Sequence, residues 1–267
     1  MATVRPLRGF VADPGYAGRL ASPPYDVLTT AEARRLADGN PYSFLHVTRP
    51  EVDCPVDASE ASRLRHGQHT LEKFCAAGLL RQDAAPCFYA YALRQAGHLQ
   101  RGIILGASVE DYRQKLVRKH ELTRPDKEAD RVAHMEAVQA QTGKVFLLHR
   151  PHPAIAQLLQ EVCAAAATLE LTAEDGVEHS LWRIDDPTQI RTVCAAFAEL
   201  GPLYIADGHH RAAAAARVAQ HTAAAAAQTI LAAAFCIDQV QILPYHRVVL
   251  GVGGSALDTF WRGVRRS

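Results

Sequence analysis

LYIADGHHR, residues 203–211, is the stretch on which the reading of the fold turns. Leu203, Tyr204, Ile205 and Ala206 have the bulk and branching of a short strand. Asp207-Gly208 is a turn signal, and His209 opens an alanine-rich run that reads as a long helix. At such a junction the first N–H groups of the helix lack intrahelical acceptors and the macrodipole adds partial positive charge, so an anion is stabilised there. Gly208 permits the tight turn and the close approach of a phosphate, while His209, His210 and Arg211 supply donors. A carboxylate beside a phosphate repels it unless a cation lies between them. Asp207 could therefore cap the helix, hold a magnesium ion or orient a histidine. The plain alternative is a turn with a capping aspartate and two packing histidines. His209 and His210 point about 100° apart on a helix and cannot readily share a zinc ion.

Upstream, the same alternation of strand and helix continues. Asp186 is placed to cap a helix that begins at Pro187 and ends at Gly201, preceded by a strand at 181–184. A helix at 154–167 follows a strand at 145–149, and a helix opened by Pro125 is closed by Gly143. Segments 88–93 and 101–108 read as a hairpin joined through 95–98. Further back come a helix at 57–77 terminated by Gly78, a strand at 43–48, and a short helix to Ala37 introduced by the capping-box spacing of Thr29 and Glu32. The first thirty residues, with Pro23-Pro24, read as an ordered loop. Alanine runs at 164–167, 212–216, 223–227 and 232–234 read as helix filler. The class is α/β, in the mixed α+β sense, with helices flanking a mixed sheet. A single domain spans 1–250, followed by an irregular tail at 251–267.

Charge narrows the functional classes. Lysine plus arginine (29) nearly cancels aspartate plus glutamate (28), so there is no basic footprint for nucleic acid and no strong attraction to an anionic membrane. Six dispersed cysteines form no CxxC pair or zinc spacing, and no apolar run suggests a membrane span, which leaves a cytoplasmic protein as the expectation. A P-loop, a GxGxxG fingerprint and a GxSxG elbow are all missing from the sequence.

A second concentration of chemistry is KHELTRPDKEADR, residues 119–131. It gathers Lys119, His120, Glu121, Arg124, Lys127, Asp130 and Arg131 around a helix-opening proline. Lys127 and Arg131 share a helical face, which is consistent either with solvation or with an anion between them. Glu51, in Arg49-Pro50-Glu51, and the Tyr25-Asp26 pair add loop-borne polar groups, and PYHRVV at 244–249 adds a His-Arg pair beside an apolar segment.

Together, PPYDV at 23–27, NPYSFLHVTRPE at 40–51, KHELTRPDKEADR and YIADGHHRAAAA at 204–215 resemble the family known as domain of unknown function 1015, from the N-terminus to about Val249. That family is similar to the ParB/sulfiredoxin superfamily, whose free-serine kinases carry a closely similar DGHHR segment. The resemblance implies a ParB/sulfiredoxin-like sheet that transfers a phosphoryl group from a nucleotide, ATP or ADP, to a small hydroxyl-bearing metabolite, with serine the most specific acceptor. It implies that Gly208 and Arg211, with His120, Lys127 and Arg131, hold the phosphates. Asp207, His209, His210, Glu51 and Glu121 would serve catalysis, with Glu51 or Glu121 as base, Asp207 a possible ligand of Mg2+ and a histidine donating to the transferred group. The alternative that it allows is a noncatalytic nucleotide-binding switch or a DNA-partition-associated protein. Family members usually continue well beyond the PYHRVV segment, so the resemblance also implies a shortened C-terminal part here.

Overall fold

The fold is taken from a computed structural model that describes residues 1–243 and 255–264. The strands are β1 (Val4–Arg5), β2 (Phe10–Ala12), β3 (Leu80–Gln82), β4 (Phe88–Gln95), β5 (His98–Ser108), β6 (Val117–Arg118), β7 (Val145–His149), β8 (Leu169–Thr172), β9 (Glu178–Ile184), β10 (Leu203–Asp207) and β11 (Thr229–Cys236). The helices are α1 (Ala17–Leu20), α2 (Thr30–Ala37), α3 (Leu45–Thr48), α4 (Glu60–Ala76), α5 (Val109–Arg113), α6 (Pro125–Val138), α7 (Pro153–Val162), α8 (Pro187–Glu199), α9 (His209–His221) and α10 (Ser255–Val264).

Nine strands form one mixed sheet in the order β6-β10-β7-β11-β5-β4-β9-β8, with β1 extending it along β5; β2 and β3 pair separately. β10 runs parallel to β6 and β11 parallel to β7, while the other pairings are antiparallel. The mixed α/β class read from the alternation is thus the observed one. One sheet face is buried under α7, α8 and α9, with Ile103, Leu105, Leu147, Ile205 and Ile230 meeting Leu158, Phe197 and the alanines of α9. The opposite face carries a smaller cluster around Tyr91, Ala233 and Phe235. A third cluster joins α1, α3 and α4 to the end of α6. Among the described residues no helix is long and apolar enough to cross a membrane.

Several elements depart from the sequence reading. Within 43–48, read as a strand, Leu45–Thr48 form the short helix α3. Leu45 and Val47 are buried, and the N–H of Phe44 donates to the carbonyl of Leu20, so tertiary packing overrides β-branched propensity. The alanines at 232–234 lie in the central strand β11, not in a helix. Their small size fits between neighbours that already crowd the sheet: a Cβ at Gly102 in β5 would lie 2.5 Å from the carbonyl oxygen of Ala234. α6 ends at Gln139, whose φ of 54° is left-handed, four residues before the expected Gly143. α7 stops at Val162, short of 167. Within 251–267, where an irregular tail was expected, α10 forms. The PYHRVV segment lies outside the described residues.

Candidate functional site

The DGHHR turn sits where β10 ends and α9 begins. Gly208 is the N-cap of α9, at φ 90°, and no side chain caps the helix. The left-handed backbone is one that glycine adopts without strain. A Cβ there would lie 3.2 Å from the guanidinium carbon of Arg211 and 3.3 Å from the Cα of Val145, so the turn is pressed against the start of β7.

Asp207 does not take the capping role. Its Oδ2 accepts from Arg211 at 2.6 Å across one helical turn. Arg211 is buried, reaches Asp26 Oδ2 at 3.5 Å, and also donates to the main-chain carbonyl of Lys144. Its Nε is buried without a partner. The three-residue turn Tyr25–Val27 thereby joins the site. Arg131 stacks 4.0 Å over the Tyr25 ring and pairs with Asp130 at 2.6 Å. Burial raises the Tyr25 hydroxyl above its ordinary range, partly opposed by Arg131.

The segment containing His120 to Arg124 folds directly over the start of α9. The N–H of Arg124 donates to His210 Nε2 at 3.1 Å, and that of His120 to His209 Nε2 at 3.5 Å. The two imidazoles of His120 and His209 meet edge to face at 4.4 Å between centroids. Glu121 Oε2 lies 3.5 Å from His209 Nδ1. As acceptors at Nε2, both histidines of the pair carry the proton on Nδ1 when neutral, so that of His209 faces Glu121. Burial lowers the His209 pKa, and His120 lowers it further, against the pull of Glu121 and Asp207. The pair thus fastens a loop to a helix while keeping a carboxylate at the rim.

The remaining expected residues divide. Lys127 is exposed on α6, while Arg131 one turn later is buried, so their common face does not present two cations equally. Glu51 pairs with Arg49 at 2.5 Å. Arg49 in turn donates to the carbonyls of Tyr25 and Leu28 at 2.7 and 2.8 Å, so Glu51 supports the Tyr25–Val27 turn from behind. Among the described residues no group of three or more His, Cys, Asp or Glu side chains gathers as a metal site. Magnesium commonly takes one or two carboxylates plus substrate phosphates. The exposed Asp207 fits that limited role, with its Oδ2 shared with Arg211.

Sequence reasoning missed Lys144. It stands immediately before β7, and its ammonium lies 5.0 Å over the Tyr91 ring on the less covered sheet face. Its residue surface is exposed, and burial around the ammonium, with Arg211 adding to it, lowers its pKa. The available signal was positional: a lysine at the start of a strand whose neighbour strand runs into the DGHHR turn.

Fold and turn together define a mixed α/β protein in which an uncapped helix start is embedded in a web of arginines, histidines and carboxylates. The chain belongs to the family described as "Protein of unknown function (DUF1015)", which matches residues 4–267 and so extends past Val249. No curated protein and no solved structure matches it.

Proposed function

We propose that this chain is a nucleotide-dependent phosphotransferase that binds phosphate at the start of α9 and phosphorylates a small hydroxyl-bearing metabolite, serine being the most specific candidate. The observation that carries the reading is the N-terminus of a 13-residue helix, with Gly208 at φ 90° and no capping side chain. The acceptor and the ATP or ADP donor follow from the likeness of DGHHR to the free-serine kinases.

In this mechanism the N–H groups that follow Gly208 bind phosphate oxygens and stabilise the charge of the transferring group. The acceptor oxygen forms a bond to the terminal phosphorus, and the bond from that phosphorus to the bridging oxygen of the leaving nucleotide breaks. The hydroxyl proton passes to a carboxylate. Glu121 is better suited than Glu51, being more exposed and beside His209 where Glu51 is held by Arg49. Bound magnesium would neutralise phosphate charge, with Asp207 as its protein ligand.

Calorimetric titration with ATP, ADP and CTP, followed by a magnesium-dependent phosphoryl-transfer assay on serine and related alcohols, tests the reading. Micromolar to millimolar nucleotide binding and appearance of a phosphorylated alcohol are expected. Absence of binding by every nucleotide overturns the proposal. Binding without turnover replaces the kinase by the nucleotide-dependent switch.

A further inference from the structure

We propose that Lys144 is the side-chain cation that meets the ligand's phosphate at the DGHHR turn, and that Arg211, the cation conspicuous in the sequence, is a positioning residue. The inference rests on the phosphate-binding reading above and assigns its charge to a different residue.

Charge decides between the two. Arg211 is nine-tenths buried, and its terminal nitrogens are directed to Asp207 Oδ2, Asp26 Oδ2 and the Lys144 carbonyl. One guanidinium against two carboxylates leaves the web with an excess negative charge, which would repel a phosphate. Neither Arg124 nor Arg217 corrects this, because they pair with Asp126 and Glu128. Arg131 is taken by Asp130 and the Tyr25 ring. Lys144 does correct it. Its ammonium lies over the face of Tyr91 and within electrostatic reach of Arg211 and His179, and among the described residues no carboxylate pairs with it.

Position agrees with charge. A Cβ at Gly208 would lie 3.3 Å from the Cα of Val145, the residue next to Lys144, and 3.2 Å from Arg211 Nε. That Nε is buried without a partner, one of four such side-chain nitrogens among the described residues and the one at this turn, a second sign that the turn is built to meet an acceptor. Arg211 donates to the main-chain carbonyl of Lys144, so the guanidinium holds the base of the lysine beside the turn; in the proposed bound state the flexible stem would carry the ammonium from the Tyr91 ring, on the other sheet face, round the strand end to the phosphate.

The test is titration of the full chain with ADP and with inorganic pyrophosphate at two salt concentrations, comparing wild type, Lys144→Gln, Lys144→Arg and the exposed control Lys73→Gln, with folding of each checked by urea denaturation. Removing one charge-assisted contact should weaken binding about tenfold or more and flatten its salt dependence, with Lys144→Arg recovering part of the affinity and Lys73→Gln unchanged. Should Lys144→Gln not fold, Lys144→Met, which keeps the unbranched stem without the charge, takes its place in the same comparison and under the same criteria. Wild-type binding that Lys144→Gln leaves within about twofold, at either salt concentration, overturns the assignment alone. Failure of the wild type to bind either anion overturns both this inference and the phosphate-binding reading.

Discussion

Two helices of this protein start in the same architectural setting and are finished differently. α8 and α9 each have 13 residues, each follows a strand of the large sheet, and each is preceded by an aspartate. At α8, Asp186 turns back on the helix and its Oδ1 accepts from the N–H groups of Thr188 and Gln189 at 2.8 and 3.0 Å. At α9 the aspartate falls one residue earlier, glycine occupies the cap position, and Asp207 is drawn to Arg211 instead. The first junction satisfies its own donors and is complete as structure. The second leaves its donors without a cap while surrounding them with charged groups, which is the pattern of a site.

Substitutions at the two junctions should separate these roles. The largest effect is expected from Arg211→Ala, which removes the hydrogen bonds tying Asp207, Asp26 and the Lys144 carbonyl together. Stability should fall by about 2 to 3 kcal/mol in urea denaturation, and nucleotide binding should be lost with the turn. Gly208→Ala comes next: a left-handed alanine costs roughly 1–2 kcal/mol, and its Cβ would crowd the Arg211 guanidinium. Binding should weaken in the same variant. Asp186→Ala should cost about 1 kcal/mol and leave nucleotide affinity unchanged. Equal losses of affinity at the two helix starts would show that their difference has no functional meaning.

The smallest effect concerns pH. The folded-state pKa of His209 lies below the ordinary histidine value of about 6.5, so the neutral ring's contribution is present in full above that pH. It is lost as pH falls from there toward the folded value, because the unfolded chain takes up the proton first. His134, His149 and His179 shift in the same direction, each chiefly through burial. The urea midpoint should therefore drop between pH 7.5 and 5.5, and His209→Gln should reduce that drop without abolishing it. An unchanged drop in the variant would place the acid sensitivity in the other three.

Local signals with a mechanism were legible. Asp186-Pro187 announced α8, Thr29 and Glu32 form the expected capping box, and the 95–98 turn lies within the junction of β4 and β5. The strand-turn-helix at 203–211 was legible for the same reason. What the sequence concealed depends on partners distant in the chain. Nothing in SFLHVT says that Leu45 and Val47 will be enclosed as a helical turn, and nothing in an alanine triplet says that a central strand will need small residues. Segment 119–131 was recognised for its composition, but its place over α9 depends on two histidines ninety residues away in round figures accepting its N–H groups. Lys144 carried no motif at all, and the role proposed for it rests on the groups that the fold sets around it.

The buried alanines of α9 bear on how this protein tolerates mutation. Ala212, Ala214 and Ala215 are almost wholly enclosed in the core. Any larger side chain at these positions must shift the helix, and with it the first turn that faces β7. The DGHHR turn is therefore protected by residues with no chemistry of their own, and if it binds the proposed phosphate, a mutational scan for loss of ligand binding should find a second set of sensitive positions running along the helix behind it.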